Sequence, residues 1–195
     1  LRLQLLIDRG YHPLAYRMLC LQAHYRSELE FSWDGLGAAL VRLKRLLGVA
    51  RNLLDVVTDG ATLDSVRKTV THPKLTSLTD RFDAALSDDL NTAVALTVLE
   101  EAVAMKKVDA GQKASLVGAM LSALGLPLLP REDFRIRPSA AAVDEAWVEA
   151  AMDRRKSARA AKDFAASDAI RDELAAKGVD VMDGDPLGWE WRLGS

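Results

Sequence analysis

Phe164, Asp168 and Arg171 stand at i, i+4 and i+7 in a stretch of helical pattern. At about 100° per residue they fall within roughly 60° of one another, so they share one face. Ala166, Ile170 and Leu174 point elsewhere. An aromatic plate, a carboxylate acceptor and a guanidinium fork aimed outward suit an unstacked nucleobase. The ring stacks on Phe164, Asp168 accepts from amino or imino groups such as those of guanine, and Arg171 donates to carbonyl or ring-nitrogen acceptors. Arg155, Arg159 and Lys162 repeat the spacing on the preceding segment, a positive ridge suited to a phosphate backbone. Asp183 falls in a turn, and Trp189 and Trp191 lie two apart, on one face of a strand, where one ring can stack on a base and the other pack.

Plainer uses of these residues exist. Asp168 and Arg171 can pair with each other at i, i+3, Phe164 can plug a core, and the basic ridge can be a solvated stripe. Other chemistry is poorly supported. The sequence has no Gly-rich phosphate loop, no CxxC pair, no HExxH and no GxSxG elbow. His12, His24 and His72 fall in different expected elements without metal-ligand spacing. The one cysteine, Cys20, sits between Leu19 and Leu21 and reads as core packing. Asp88-Asp89 is a paired carboxylate at a helix start, where acids ordinarily serve the helix dipole.

The elements that must position these groups follow from apolar spacing and breaks. Leu14, Met18, Leu19 and Leu21 give a short helix after Gly10 and Pro13. Ser32 caps a long one through Leu36, Leu40, Leu43 and Leu47, extended to about Val57. After a loop at Asp59–Thr62, Leu63–Val70 forms a short helix closed by Thr71-His72-Pro73. Three more helices are expected over 74–87, 91–107 and 111–124, with Asn91 as a cap and Gly125 and Pro127 as stops. Pro127–Pro138 reads as a linker. Helices over 142–161 and 163–176 follow, the second capped by Asp163 and closed by Lys177-Gly178. A hairpin then pairs Val179–Met182 with Trp189–Leu193. The expected fold is mainly α: a helical bundle followed by a small α+β domain of two helices and a β-hairpin.

Composition narrows the class. With 195 residues, 49% of them hydrophobic, the chain can build a real core, and a lone cysteine suits a reducing, cytoplasmic compartment. The net charge of −2 argues against nucleic-acid binding by bulk charge. Residues 138–195 carry 8 basic against 12 acidic side chains, yet Arg154, Arg155, Lys156, Arg159 and Lys162 stand close together. No apolar run is long enough to cross a bilayer, so no membrane partner is expected. The chain starts at Leu1 inside an amphipathic pattern, as expected of a piece of a longer polypeptide.

Three blocks carry a resemblance: Tyr11–Ser27 (YHPLAYRMLCLQAHYRS), Ser87–Thr92 (SDDLNT) and Arg159–Leu174 (RAAKDFAASDAIRDEL). In that order they resemble the C-terminal half of bacterial cysteinyl-tRNA synthetase, the part that follows the KMSKS loop. The resemblance implies a connecting segment over 1–30, a helical bundle of the DALR type over 31–137 and a small anticodon-recognition domain over 138–195. It implies a class I ligase whose upstream domain binds ATP and zinc. This segment itself then has no cofactor, no metal and no catalytic residue, and its partner is cysteine tRNA, bound by a monomer. By position, Arg159, Phe164, Asp168, Arg171, Asp183 and Trp191 fall where the family contacts the anticodon loop, with Arg155 and Lys162 as possible phosphate contacts. Phe164 replaces a frequent tryptophan, and Ala93 stands where the family's Asn-Thr is usually followed by proline. Asp185–Glu190 is one residue longer than the usual turn, with Trp189-Glu190 in place of two small hydroxyl residues, so Trp189 can take the place of Trp191. Two other readings stay open: a helical protein-interaction module without RNA contact, and part of a mycothiol-pathway cysteine ligase. The tail from Asp163 to Trp191 weighs against the latter, since a small substrate gives no reason to keep it.

Overall fold

The computed structural model describes residues 2–53 and 61–194. The helices, in chain order, are α1 (Leu3–Asp8), α2 (Pro13–Leu21), α3 (Trp33–Arg51), α4 (Leu63–Thr69), α5 (Pro73–Ser87), α6 (Thr92–Ala104), α7 (Ala110–Ala123), α8 (Glu145–Ala160) and α9 (Phe164–Ala176). A 3-10 turn at Arg131–Phe134 breaks the expected linker, and β1 (Val179–Val181) pairs antiparallel with β2 (Trp189–Trp191). The expected class, a helical bundle plus a small α+β part, is what the chain adopts. The continuation of α3 through 54–57 and the first half of the Asp59–Thr62 loop lie outside the described residues.

Packing divides the chain into two compact units, one spanning Leu14–Leu129 and the other joining residues up to Pro13 with those from Pro130 onward. The Leu14–Leu129 unit is the bundle. Leu36, Leu40, Leu43 and Leu47 form one buried stripe of α3, at the spacing that faces a core. α6 is apolar nearly all round, with Ala95, Leu96, Val98, Leu99, Ala102 and Val103 buried, and accordingly touches α3, α5 and α7. Each fully buried leucine contributes about 1.5–3 kcal/mol. Polar side chains set the helix starts as expected: Ser32 accepts from Gly35 N–H and Asn91 from Val94 N–H. Asp89 does something else than serve a helix dipole. Backbone at φ +55 turns its carboxylate onto the Tyr25 hydroxyl and onto Arg26 Nε at 3.0 Å, bracing the loop after α2.

The other unit begins with α1. Ser139 N–H donates to Asp8 O at 2.8 Å and Gly194 N–H to Arg9 O at 3.0 Å, so the first residues are sewn to the last sixty or so rather than to the helix that follows them. Gly10 turns the chain at φ +88, where a Cβ would meet Pro138 Cγ at 3.0 Å and Ile136 O at 3.1 Å. By packing alone, the chain divides at Pro13 and Pro130. The small core is Val148, Ala151, Leu174, Val179, Trp189 and Trp191, with Trp147, Met152 and Ile170 against it.

Candidate nucleic-acid interface

The corner between α8 and α9 is made by one residue used twice, Asp163. Asp163 N–H donates to Ala158 O and Lys162 N–H to Arg159 O, closing α8 in the pattern that requires a left-handed residue at Lys162, φ +58. The Asp163 side chain then accepts from Ala166 N–H and starts α9. Phe164 is therefore the first residue of α9, and helical spacing holds through Asp168 and Arg171. All three are exposed, Phe164 at 63%. Among the described residues, Asp168 has no hydrogen bond or ion pair, and the expected alternative of a bridge to Arg171 does not form.

Arg171 pairs instead with Asp183, Nη1 to Oδ2 at 3.2 Å. Asp183 stands in the hairpin turn, where Gly184 at φ +80 allows the chain to reverse. Its carboxylate also takes a two-bond fork from Arg155, Nη1 to Oδ1 at 2.9 Å and Nη2 to Oδ2 at 3.0 Å, and a bond from Arg159 Nη1 to Oδ1 at 3.0 Å. The Arg155 hydrogen bonds, with the positive charges of Arg155, Arg159 and Arg171, hold the Asp183 carboxyl below the usual carboxylate range. One carboxylate therefore gathers three guanidiniums, leaving two positive charges in excess. Arg159 and Arg171 keep about half of their side-chain surface for a ligand.

Two expectations change. The basic ridge is not formed, because Arg155 is 7% exposed and turned inward to Asp183, while Lys162 lies beyond the helical end of α8. Trp191 is 5% exposed: both tryptophans pack edge to face at 5.1 Å in the small core, so neither ring offers a free face to a base. The alternation of polar and apolar residues in β2 showed that the rings share a face, and burial made that face the inner one.

Sequence reading missed Arg131, Arg135 and Glu149. Arg135 donates from Nη2 to the carbonyls of Leu187 and Trp189, both at 2.8 Å, and lies 3.7 Å over the Trp189 ring. Trp189 Nε1 donates to Glu149 at 2.9 Å, and Arg131 pairs with Asp185 at 2.8 Å. These arginines fall in the segment whose prolines and charges suit a linker, a pattern that names none of their partners. Among the described residues, no group of His, Cys, Asp or Glu is placed to hold a metal ion, and no helix is long and apolar enough to cross a membrane.

Residues 145–192, which hold α8, α9 and the hairpin, match the family described as the cysteinyl-tRNA ligase anticodon binding domain. Relatives extend the match over the whole chain. It is 61% identical over 195 residues to the cysteine–tRNA ligase of Novosphingobium aromaticivorans, covering 99% of this chain and 38% of that protein. To the cysteine–tRNA ligase of Zymomonas mobilis it is 45% identical over 218 residues, covering 98% and 42%. The chain is similar to part of a cysteine–tRNA ligase. Cysteine–tRNA ligase 1 of Burkholderia lata is 42% identical over 182 residues, 93% of this chain and 34% of the relative. The chain thus spans about two fifths of the length of the first two ligases. The matched anticodon-binding region of the ligase family contains every candidate site residue, Arg155 through Trp191.

Proposed function

We propose that this chain is the tRNA-binding part of a cysteine–tRNA ligase and that its α9 face reads the GCA anticodon of cysteine tRNA. The observation that carries this reading is the pair Phe164 and Asp168, exposed and without a partner among the described residues, beside the arginines gathered at Asp183. Phe164 offers a stacking plate, Asp168 an acceptor for base amino or imino groups, and Arg159 and Arg171 donors for acceptor edges or phosphates. Asp183 sets where those two guanidiniums stand. Lys162 adds an exposed charge at the corner. Trp191 supports this face from inside the core.

The division of labour follows from the resemblance: residues 1–30 connect, 31–137 brace the tRNA and 138–195 recognise its anticodon. The parent is a class I synthetase of the cytoplasm, acting as a monomer, which activates cysteine with ATP and transfers it to the tRNA 3′ end. ATP and zinc then belong to a part of that enzyme outside this chain.

A filter-binding titration at fixed salt tests the proposal. Cysteine tRNA should bind more tightly than a transcript with a changed anticodon, and equal affinity for the two defeats the claim of recognition.

A further inference from the structure

We infer that Arg135 is a positioning residue for this recognition, holding the hairpin turn so that Asp183 stands where its three arginines meet. The functional half of this inference rests on the anticodon reading above; the structural half stands alone.

The hairpin is short. Each strand has three residues, and a two-stranded ribbon of that length is marginal by itself. Met182 N–H donates to Gly188 O and Arg192 N–H to Gly178 O, so hydrogen-bonded pairs fall at even positions and the Trp189 carbonyl faces away from β1. That outer edge is where Arg135 binds. One nitrogen, Nη2, takes the carbonyls of Leu187 and Trp189, while Nη1 lies 3.8 Å from Glu145 and 3.7 Å from Glu149. The guanidinium carbon lies 3.7 Å over the Trp189 ring, whose N–H donates to Glu149, closing a circuit of three side chains. Arg131 extends the anchoring to Asp185, which also takes the Leu187 N–H at 2.9 Å. Contacts therefore fall on Asp185, Leu187 and Trp189, alternate residues of the segment that begins just after Asp183.

Such anchoring has a clear purpose. Asp183 is 43% exposed, and its bonds to Arg155, Arg159 and Arg171 form together only when the turn that carries it is held in place. The Arg135 side chain is 9% exposed and is held by Nη2 and its ring contact, while its buried Nε has no hydrogen-bond partner. Lysine cannot replace it, because a single ammonium donating to the two carbonyls has no second nitrogen to direct at Glu145 and Glu149 and no delocalised group to lay over the Trp189 ring.

The test uses the full chain with Arg135→Lys and Arg135→Ala, and Arg137→Ala as a control, since Arg137 donates to the Val143 and Ala141 carbonyls and to no hairpin residue. The first readout is the carboxyl carbon resonance of Asp183 followed through acid titration by NMR. The second is the ratio of affinities for cysteine tRNA and the changed-anticodon transcript. In both Arg135 variants the Asp183 carboxyl should titrate nearer its ordinary range, and the ratio should fall at least about tenfold, the effect of roughly one hydrogen bond lost from the reading set. Arg137→Ala should alter neither. If Arg135→Ala does not fold, Arg135→Lys decides alone. An Asp183 titration unchanged in the folded variants overturns the inference, as does a moved titration with an unchanged ratio. Absence of discrimination in the unsubstituted chain defeats the anticodon reading instead, and the Asp183 titration still decides the positioning.

Discussion

Arg155 and Asp183 meet across 28 residues of chain through two hydrogen bonds of 2.9 and 3.0 Å. The fork ties the middle of α8 to the tip of the hairpin, and it does so with an arginine that is almost wholly buried and an aspartate that is not. The buried partner has no alternative: its Nε already lacks a hydrogen-bond partner, and loss of the carboxylate would leave the whole guanidinium unpaired.

Asp183→Asn keeps the shape of the side chain but removes its charge and half of its acceptor capacity. The substitution should destabilise the chain by about 1–3 kcal/mol, measured by urea unfolding. A loss below about 0.5 kcal/mol would show that Arg155 finds other partners.

The same carboxylate gives stability a sign with pH. Its folded pKa lies below the ordinary 3.8, lowered first by the Arg155 hydrogen bond. Its contribution is therefore complete above about pH 4 and disappears as pH falls through the folded value. Thermal midpoints of the wild type and Asp183→Asn should differ at neutral pH and converge in acid. A gap that stays constant down to pH 2 contradicts this assignment.

Phe164→Ala and Trp191→Ala should separate recognition from packing. The exposed phenylalanine can be truncated with a stability change within about 0.5 kcal/mol, while RNA affinity drops by about 1–3 kcal/mol. Truncating the buried tryptophan should cost about 3–5 kcal/mol of stability. Equal effects of the two on thermal unfolding would mean that Phe164 is a core residue after all.

Asp168→Ala removes an acid with no intramolecular partner among the described residues. Folding should be unaffected, and discrimination between cysteine tRNA and the changed anticodon should weaken by about 1–3 kcal/mol in competition binding. An unaltered preference takes Asp168 out of the reading set.

Lys162→Gly acts on backbone and charge at once. Relief of the left-handed lysine that closes α8 should raise stability by about 0.5–1 kcal/mol. If the ammonium meets a phosphate, the slope of log affinity against log salt should fall by about 1. Higher stability with an unchanged slope would leave Lys162 a helix cap alone.

Helix ends were readable because a cap is a contract between residues three apart. Ser32, Asn91 and Asp163 each accept from the backbone N–H three positions on, and no distant contact is needed to choose among them. The outward face of α9 was readable for the same reason, since 3.6-residue periodicity places Phe164, Asp168 and Arg171 together wherever the helix docks. Which cation Asp183 would take was not. Arg155, Arg159 and Arg171 lie 28, 24 and 12 residues away, and pattern alone ranks none of them above Asp168 and Arg171 as a local pair. Arg135 was further hidden, because its partners are mostly backbone carbonyls, which have no signature in sequence.

The amino-acid order by itself determined the helices, their caps, the hairpin turn and an exposed ring beside an acid, all of them products of interactions within a few residues. The fold decided the rest: that α1 is sewn to the last segment, that both hairpin tryptophans turn inward, and that one turn carboxylate collects three arginines. Charges and rings of one kind are interchangeable until distance separates them. Only when β2 folded back on β1 beneath α8 and α9 did one arginine become buried against Asp183 while two others stayed open to solvent.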